Sequence, residues 1–417
     1  MQHVPATPPV APSDRAAAAA AAQPERGSPL EVLLAFLRLG LTSFGGPVAH
    51  LGYFRAEFVE RRRWLDDRAY AELVALCQFL PGPASSQVGM ALGLARASWP
   101  GAAMAWLGFT LPSALALVAF GYGIARWGDL AASGAVQGLK VAAVAVVAQA
   151  VWNMGRALCP DRTRAGLAAL AALAALALPS AAGQVGAIAA CALAGWRLVE
   201  LPPRPPAAAP HYRVSRRAGL AALAMLVALL LALPLLAAAT GSAGWALVDG
   251  FYRAGALVFG GGHVVLPLLQ ATVVPGGAVS NADFLAGYGA AQAVPGPLFT
   301  FAAYLGTVAR GPLTGWAGGL ALLLVVFLPA FLLLVAALPF WDTLRQRAAV
   351  QSALAGINAG VVGILLAALY DPVWISAIHG RAEFGIALAA FALLMHTRLS
   401  PVLVVALSAL AGWVLLG

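Results

Sequence analysis

Two arginines sit inside apolar runs at matching places, Arg38 in FLRLGLTSFGG (36–46) and Arg253 in FYRAGALVFGG (251–261). A guanidinium is expensive to hold at membrane depth, and its planar fork can give two parallel hydrogen bonds to a tetrahedral oxyanion, which a lysine cannot imitate. The bland alternative is that each arginine snorkels from near a segment end. FGGP (44–47) and FGGGH (259–263) come next, with Gly45, Gly46, Gly260 and Gly261 breaking the helix. Non-helical backbone survives at membrane depth only where it is buried in protein or lines a cavity; tight helix packing through small residues is the competing explanation. PGP then occurs at Pro81, Gly82, Pro83 and again at Pro295, Gly296, Pro297. Each suits the start of a half-helix, whose free N–H groups and positive dipole end favour an anion, with Ser85, Ser86 and Gln87 or Thr300 adding donors from the first turn. A simple proline kink would explain one such motif; two matched copies favour a site.

Other polar residues are more ambiguous. Gln78 and Gln292 each precede a PGP motif by three residues, where they could fix the loop or donate to a substrate. Glu72, Asp249 and Asp283 are carboxylates near apolar segments, able to carry protons if buried, or equally to cap helices at a boundary. His50 and His263 follow the two glycine breaks and could relay protons or be packed polar groups. Lys140 lies in an apolar run but aligns with Asn358 in the repeat described below. Cys77, Cys159 and Cys191 share no CxxC spacing, which gives neither a disulfide framework nor a metal site. GxxxxGK[ST], HExxH and GxSxG are absent, so ATP-driven, metalloenzyme and hydrolase readings lack their motifs, no cofactor is expected, and an ion gradient is the remaining drive.

The elements that must position these residues are membrane helices. The chain is 61% hydrophobic and 10% charged with mean hydropathy +0.85, more apolar surface than a soluble domain of 417 residues hides. The bilayer is therefore a partner. The net charge of +9 lies mostly on arginines in short loops, which points to orientation in a membrane rather than to nucleic acid. Residues 1–28 are Pro- and Ala-rich without a signal-peptide pattern and read as a disordered cytoplasmic tail. Thirteen apolar segments follow, at about 29–51, 70–96, 99–125, 132–158, 164–181, 182–199, 218–240, 243–270, 283–309, 312–340, 348–370, 383–396 and 399–416. The basic, proline-rich stretch 200–217 is a cytoplasmic linker.

The two sides of that linker repeat one another. After the arginine block, QFLPGP (78–83) matches QAVPGP (292–297), LP (111–112) matches LP (328–329), and Gly138 matches Gly356, in the same order. Repeats at 29–199 and 243–417, of six segments each and separated by the single helix 218–240, would have inverted topology, an architecture in which broken helices form a site at the repeat interface. The expected fold is thus an all-α polytopic membrane protein of two inverted repeats. The arginines divide more one-sidedly between the two faces if 29–51, 70–96, 243–270 and 283–309 are re-entrant hairpins rather than spans, which places 55–68 in the cytoplasm.

FLRLGLTSFGGPVAHLGYFRAEFVERRRWLDD followed by QFLPGPASSQ, with FGGGHVVLPLLQ and QAVPGP in the second half, resembles the long, two-domain chromate transporters. The likeness runs over about residues 30–416. It implies export of chromate, similar to sulfate in shape and charge, across the bacterial inner membrane, driven by the proton gradient or the membrane potential, and it leaves room for a homodimer. Matching positions are Arg38, Gly45, Gly46, Pro47 and Pro81–Pro83, then Gly260–His263 and Pro295–Pro297; the stretches 164–199 and 383–416 match in hydropathy alone. A sulfate or other oxyanion importer, or an anion channel with the same site, is the second reading, and a membrane-embedded enzyme or scaffold the third.

Overall fold

The computed structural model describes residues 27–43, 46–126, 134–178, 180–200, 214–258, 264–341, 347–397 and 399–416. The tail 1–26, most of the linker (201–213), and the glycine breaks at 44–45 and 259–263 lie outside the described residues. Among the described residues the chain is helical throughout, without strands.

The first half opens with α1 (Pro29–Thr42), capped by Ser28 Oγ, which accepts from the Glu31 N–H at 3.1 Å. After the glycine break, α2 (Gly46–Phe54) continues through a π turn, Arg55–Arg61. At about 1.5 Å per residue, the 14 residues of α1 fall short of the roughly 30 Å apolar core. The two arms fold back on each other: the Phe36 ring lies 5.5 Å from Phe54 and 4.8 Å from Phe58, and Arg62 comes within 3.7 Å of Glu31. α3 (Asp67–Phe79) and the following arm form a second hairpin around the PGP turn. The helical run Ala84–Arg126 is interrupted by Ala97 and by Ser98, which has φ +57°, giving α4 (84–96) and α5 (99–126). α3 starts just after Trp64, and α4 ends at Arg96, whose guanidinium lies 5.3 Å from the Trp64 ring and bonds Glu31 at 3.2 Å. Both hairpins therefore close on one cluster of Glu31, Arg62, Trp64 and Arg96.

The second half has the same plan: α10 (Ala243–Leu257), α11 (Val265–Val273), α12 (Asn281–Ala293), α13 (Leu298–Val308) and α14 (Gly315–Phe340). The hairpins α10–α11 and α12–α13 close together, since Arg310 N–H donates to Ala278 O at 2.8 Å and Gly244 packs on Pro312. That closure lies at the far end of α5, where Tyr122 Oη accepts from Trp316 N–H at 3.0 Å. α5 begins at the first closure and ends at the second, so the repeats are inverted. Among the described residues each half thus contains eight helices, because the two segments broken by glycine and proline are pairs of arms.

The single helix α9 (Arg216–Thr240) carries the chain between the halves, and its middle is mostly exposed, as lipid contact requires. The halves also exchange their ends. α7 (Arg162–Ala177) and α8 (Ala181–Leu198) pack on α15 (Ala348–Ala377) of the other half, while α16 (Arg381–His396) and α17 (Pro401–Leu415) pack on α6 (Gly134–Leu158). The repeated glycines explain the closeness. A Cβ on Gly138 would lie 2.2 Å from Ser408 O, and one on Gly356 would lie 2.1 Å from Cys191 O.

With every terminal hairpin buried on the opposite repeat, neither half holds a complete core. Fragments 1–207 and 208–417 expressed separately should be degraded, and expressed together they should co-purify in detergent. Stable accumulation of either fragment alone would contradict the exchange.

Candidate functional site

The two PGP turns meet the helix ends that lead into the glycine motifs. Gly82 N–H, in the first PGP turn, donates to Val258 O at 2.6 Å; Gly296 N–H, in the second, donates to Ser43 O at 2.9 Å. Ser43 and Val258 are the residues immediately before the two FGG blocks, so each PGP turn is tied to the residue that precedes the glycine motif of the other half. Gly82 and Gly296 adopt φ +120° and +100°, which side-chain-bearing residues avoid. Both also press on the other repeat's proline-kinked long helix: a Cβ on Gly82 would meet Ala330 Cβ at 2.8 Å, and one on Gly296 would meet Ser113 Oγ at 2.9 Å. Those contacts follow Pro329 and Pro112, which accounts for the repeated LP pairs.

Helix N-termini gather at this junction, as α2, α4 and α13 all begin there. A cavity of about 50 Å³ lies between the start of α2 and the second PGP turn, lined by Gly46, Pro47, Gln149, Gln292, Gly296 and Leu298. Gln292 Nε2 is buried without a hydrogen-bond partner among the described residues, whereas Gln149 Nε2 donates to Leu394 O at 2.9 Å. On α2, His50 is 1% exposed, its Nδ1 lies 3.3 Å from Ser85 Oγ, and its ring stands edge-on to Phe109 at 5.1 Å. Ser43 Oγ, His50 Nε2, Ser86 Oγ and Thr110 Oγ1 are all buried without partners among the described residues. Each such group costs about 1–3 kcal/mol when left unpaired.

The sequence-derived candidates divide sharply by position. Pro81, Gly82, Pro83, Ser85, Ser86, His50, Gly46, Gln292, Pro295, Gly296, Pro297 and Thr300 belong to the junction; Thr300 Oγ1 donates back to Pro297 O at 2.7 Å and holds the turn. Gly45, Gly260, Gly261 and His263 lie outside the described residues. The structure does not bring the two arginines together with the turns. Arg38 shares the exposed stripe of α1 with Leu30, Leu34 and Leu41, and Arg253 is paired with Asp249, Nε to Oδ1 2.7 Å, on a partly exposed face of α10. Gln78 is exposed although its counterpart Gln292 lines the cavity. Glu72 is half-buried on α3, one turn into the helix, away from the turns. Lys140, on α6, is within electrostatic range of Asp283 at the start of α12, not of the turns. Reading the sequence missed Ser43, Thr110, Ser113 and Gln149. The first three stand next to motifs that were recognised, FGG and LP, whereas nothing local marks Gln149.

Comparison with known proteins agrees with the repeat. The chromate transporter family matches residues 30–196 and again 245–413. This chain belongs to that family. It is 30% identical over 403 residues to the "Chromate transport protein" of Pseudomonas aeruginosa, covering 91% of this chain and 90% of that one. The chain is 27% identical to the protein of the same name in Cupriavidus metallidurans over 92% of each, and 23% identical to an uncharacterized transporter of Methanocaldococcus jannaschii over 93% of this chain and 95% of the relative. No solved structure matches. The family's doubled match coincides with the two inverted halves, and the family's membership makes the junction part of a membrane transporter.

Alanine at Gly82 or Gly296 meets both a forbidden φ and a neighbour closer than 3 Å. Each substitution should lower stability by about 1–3 kcal/mol, read as a fall in melting temperature of the detergent-solubilised protein together with lost transport. Unchanged melting in both variants would show that the turns are not packed as described.

Proposed function

We propose that the protein is a secondary transporter that exports chromate across the bacterial inner membrane, with the proton gradient or the membrane potential as its drive. The observation that carries this reading is the meeting of the half-helix N-termini and the crossed PGP turns at the interface of two inverted repeats, in a chain whose relatives include proteins named for chromate transport. Free N–H groups and positive dipole ends at a buried interface select negative charge, and inverted halves can expose one central site to either side in turn. Sulfate shares the shape and charge of chromate and is the expected competitor. Everted membrane vesicles containing the protein should accumulate labelled chromate when energised, with inhibition by sulfate and little by chloride at equal concentration. Inhibition by chloride and not by sulfate, or no accumulation at all, would overturn the reading.

In the proposed orientation the closure at Glu31, Arg62, Trp64 and Arg96 faces the cytoplasm. The stretch 55–68 carries Arg55, Arg61, Arg62, Arg63 and Arg68, and each basic residue near the anionic inner leaflet gains about 1 kcal/mol. Its carboxylates are occupied locally: Glu57 binds Arg61 and Arg62, and Asp67 binds Arg55 at 2.7 Å, which holds the Arg55 guanidinium above its ordinary pKa. With Cys77, Cys159 and Cys191 replaced, a single cysteine at exposed Ala56 should resist a membrane-impermeant thiol reagent in intact cells and react once they are opened. Prompt labelling of intact cells would place this segment outside and remove the re-entrant arrangement.

A further inference from the structure

The junction is symmetric in backbone and asymmetric in side chains. Its two faces are related by the repeat, so each residue on one face has a counterpart on the other: Ser43 and Val258, Ser85 and Phe299, Ser86 and Thr300, Thr110 and Phe327, Ser113 and Ala330, with Gly296 and Gly82 closing them. On the second-half face four of the five positions are apolar, and the fifth, Thr300, commits its hydroxyl to Pro297 O at 2.7 Å. Phe299 and Phe327 touch at 5.6 Å between ring centroids, Val258 and Phe299 are 0% and 1% exposed, and Gln87 occupies the turn by donating to Pro81 O at 2.9 Å and Ala330 O at 3.2 Å. On the first-half face, the same positions carry hydroxyls. Ser43, Ser86 and Thr110 are 0%, 2% and 1% exposed, and with His50 each presents a polar atom that has no partner among the described residues.

Donors in that state favour a ligand that accepts from several directions at once. We propose that a single desolvated tetrahedral oxyanion is bound on the first-half face by neutral donors, namely Ser43 Oγ, Thr110 Oγ1, Ser86 Oγ and the His50 imidazole, beside the Gly296 turn and the start of α2. This rests on the transport reading above and names the groups that recognise the ion. Neutral hydroxyls, an imidazole and helix N–H groups stabilise a buried dianion through fixed dipoles, without a formal counter-charge that would hold it too tightly to leave. Among the described residues the second-half face offers no comparable set of unpartnered hydroxyls, which places the ion on the first-half face. Serine and threonine also set the selectivity: they donate to every oxygen of a tetrahedral ion and offer nothing that discriminates its central atom.

The test uses the full-length protein with Ser43→Ala, the isosteric Thr110→Val and the conservative Thr110→Ser. Two readouts are taken: initial rates of chromate uptake into everted vesicles at matched membrane abundance, and the rise in melting temperature of purified protein with sodium sulfate or chromate over sodium chloride. Ser43→Ala and Thr110→Val should each raise KM about tenfold or more, the loss that follows removal of a hydrogen bond to an ion, with a smaller change in maximal rate. Both should also abolish the sulfate-dependent stabilisation, and Thr110→Ser should restore both properties. A KM within twofold of wild type in Ser43→Ala and Thr110→Val, or retained stabilisation by sulfate in both, would overturn the proposed site. Wild-type protein that is stabilised by sulfate in a Ser43- and Thr110-dependent way but moves no chromate would keep the proposed site and remove the transport reading; wild-type protein that neither transports nor is stabilised would remove both.

Discussion

The structure depends on what happens to backbone groups that lose their helical partners in an apolar interior. Four breaks free N–H and C=O groups where water is scarce, and each such group costs several kcal/mol if nothing replaces the lost bond. The chain answers with the reciprocal pair Gly82 N–H to Val258 O and Gly296 N–H to Ser43 O. Neither bond can form within one repeat. The breaks are therefore tolerated only because the second half is present, inverted, to supply the missing acceptor. Glycine is required at both donors because the carbonyl and the adjoining long helix come too close for a side chain, at a backbone angle that other residues avoid.

Inversion and exchange follow from the same requirement. A repeat whose broken helices are satisfied only by its partner cannot be a self-sufficient domain, and the chain carries the principle outward. The pairs α7–α8 and α16–α17 reach across to helices of the opposite repeat, with glycine against backbone at Gly195 and Gly356 and at Gly138 and Gly412. In a bilayer, burying apolar surface does not drive helices together, so close packing between small residues carries the association. Alanine-rich helices suit that role, and their composition here reflects contact with another helix on one side and lipid on the other.

The repeat, the helical class and the breaks were legible in the sequence, because glycine, proline and hydropathy report on backbone and solvent directly. The alignment of FGG, PGP, LP and a later glycine put residues in correspondence, and the structure shows the PGP glycines, the residues just before FGG and just after LP, and the later glycine each touching the opposite half. The crossing itself was not legible, since matched motifs show equivalence and say nothing of which copy contacts which. The placement of the arginines was not legible for a related reason. A charge in an apolar run can serve an ion or snorkel to an edge, and a sequence does not show which way a helix is turned; in the structure the stripe Leu30, Leu34, Arg38, Leu41 faces outward. Ser43 and Thr110 drew no notice because lone hydroxyls in apolar runs are commonplace; their significance comes from burial without partners.

A transported dianion must lose its water and yet remain free to leave, and these demands conflict if the compensation comes from full charges. A guanidinium in a low-dielectric interior would trap the ion through a Coulomb term that grows as water is excluded. Dipoles avoid the trap, because helix termini and hydroxyls offer several kcal/mol of stabilisation distributed over many small contributions that can be lost one at a time as the site opens. Duplication supplied two equivalent faces at the junction. Filling one with Phe299, Phe327 and the Gln87 side chain leaves the inverted scaffold intact while concentrating the donors on the other, so the symmetry serves the backbone and its loss serves the ion.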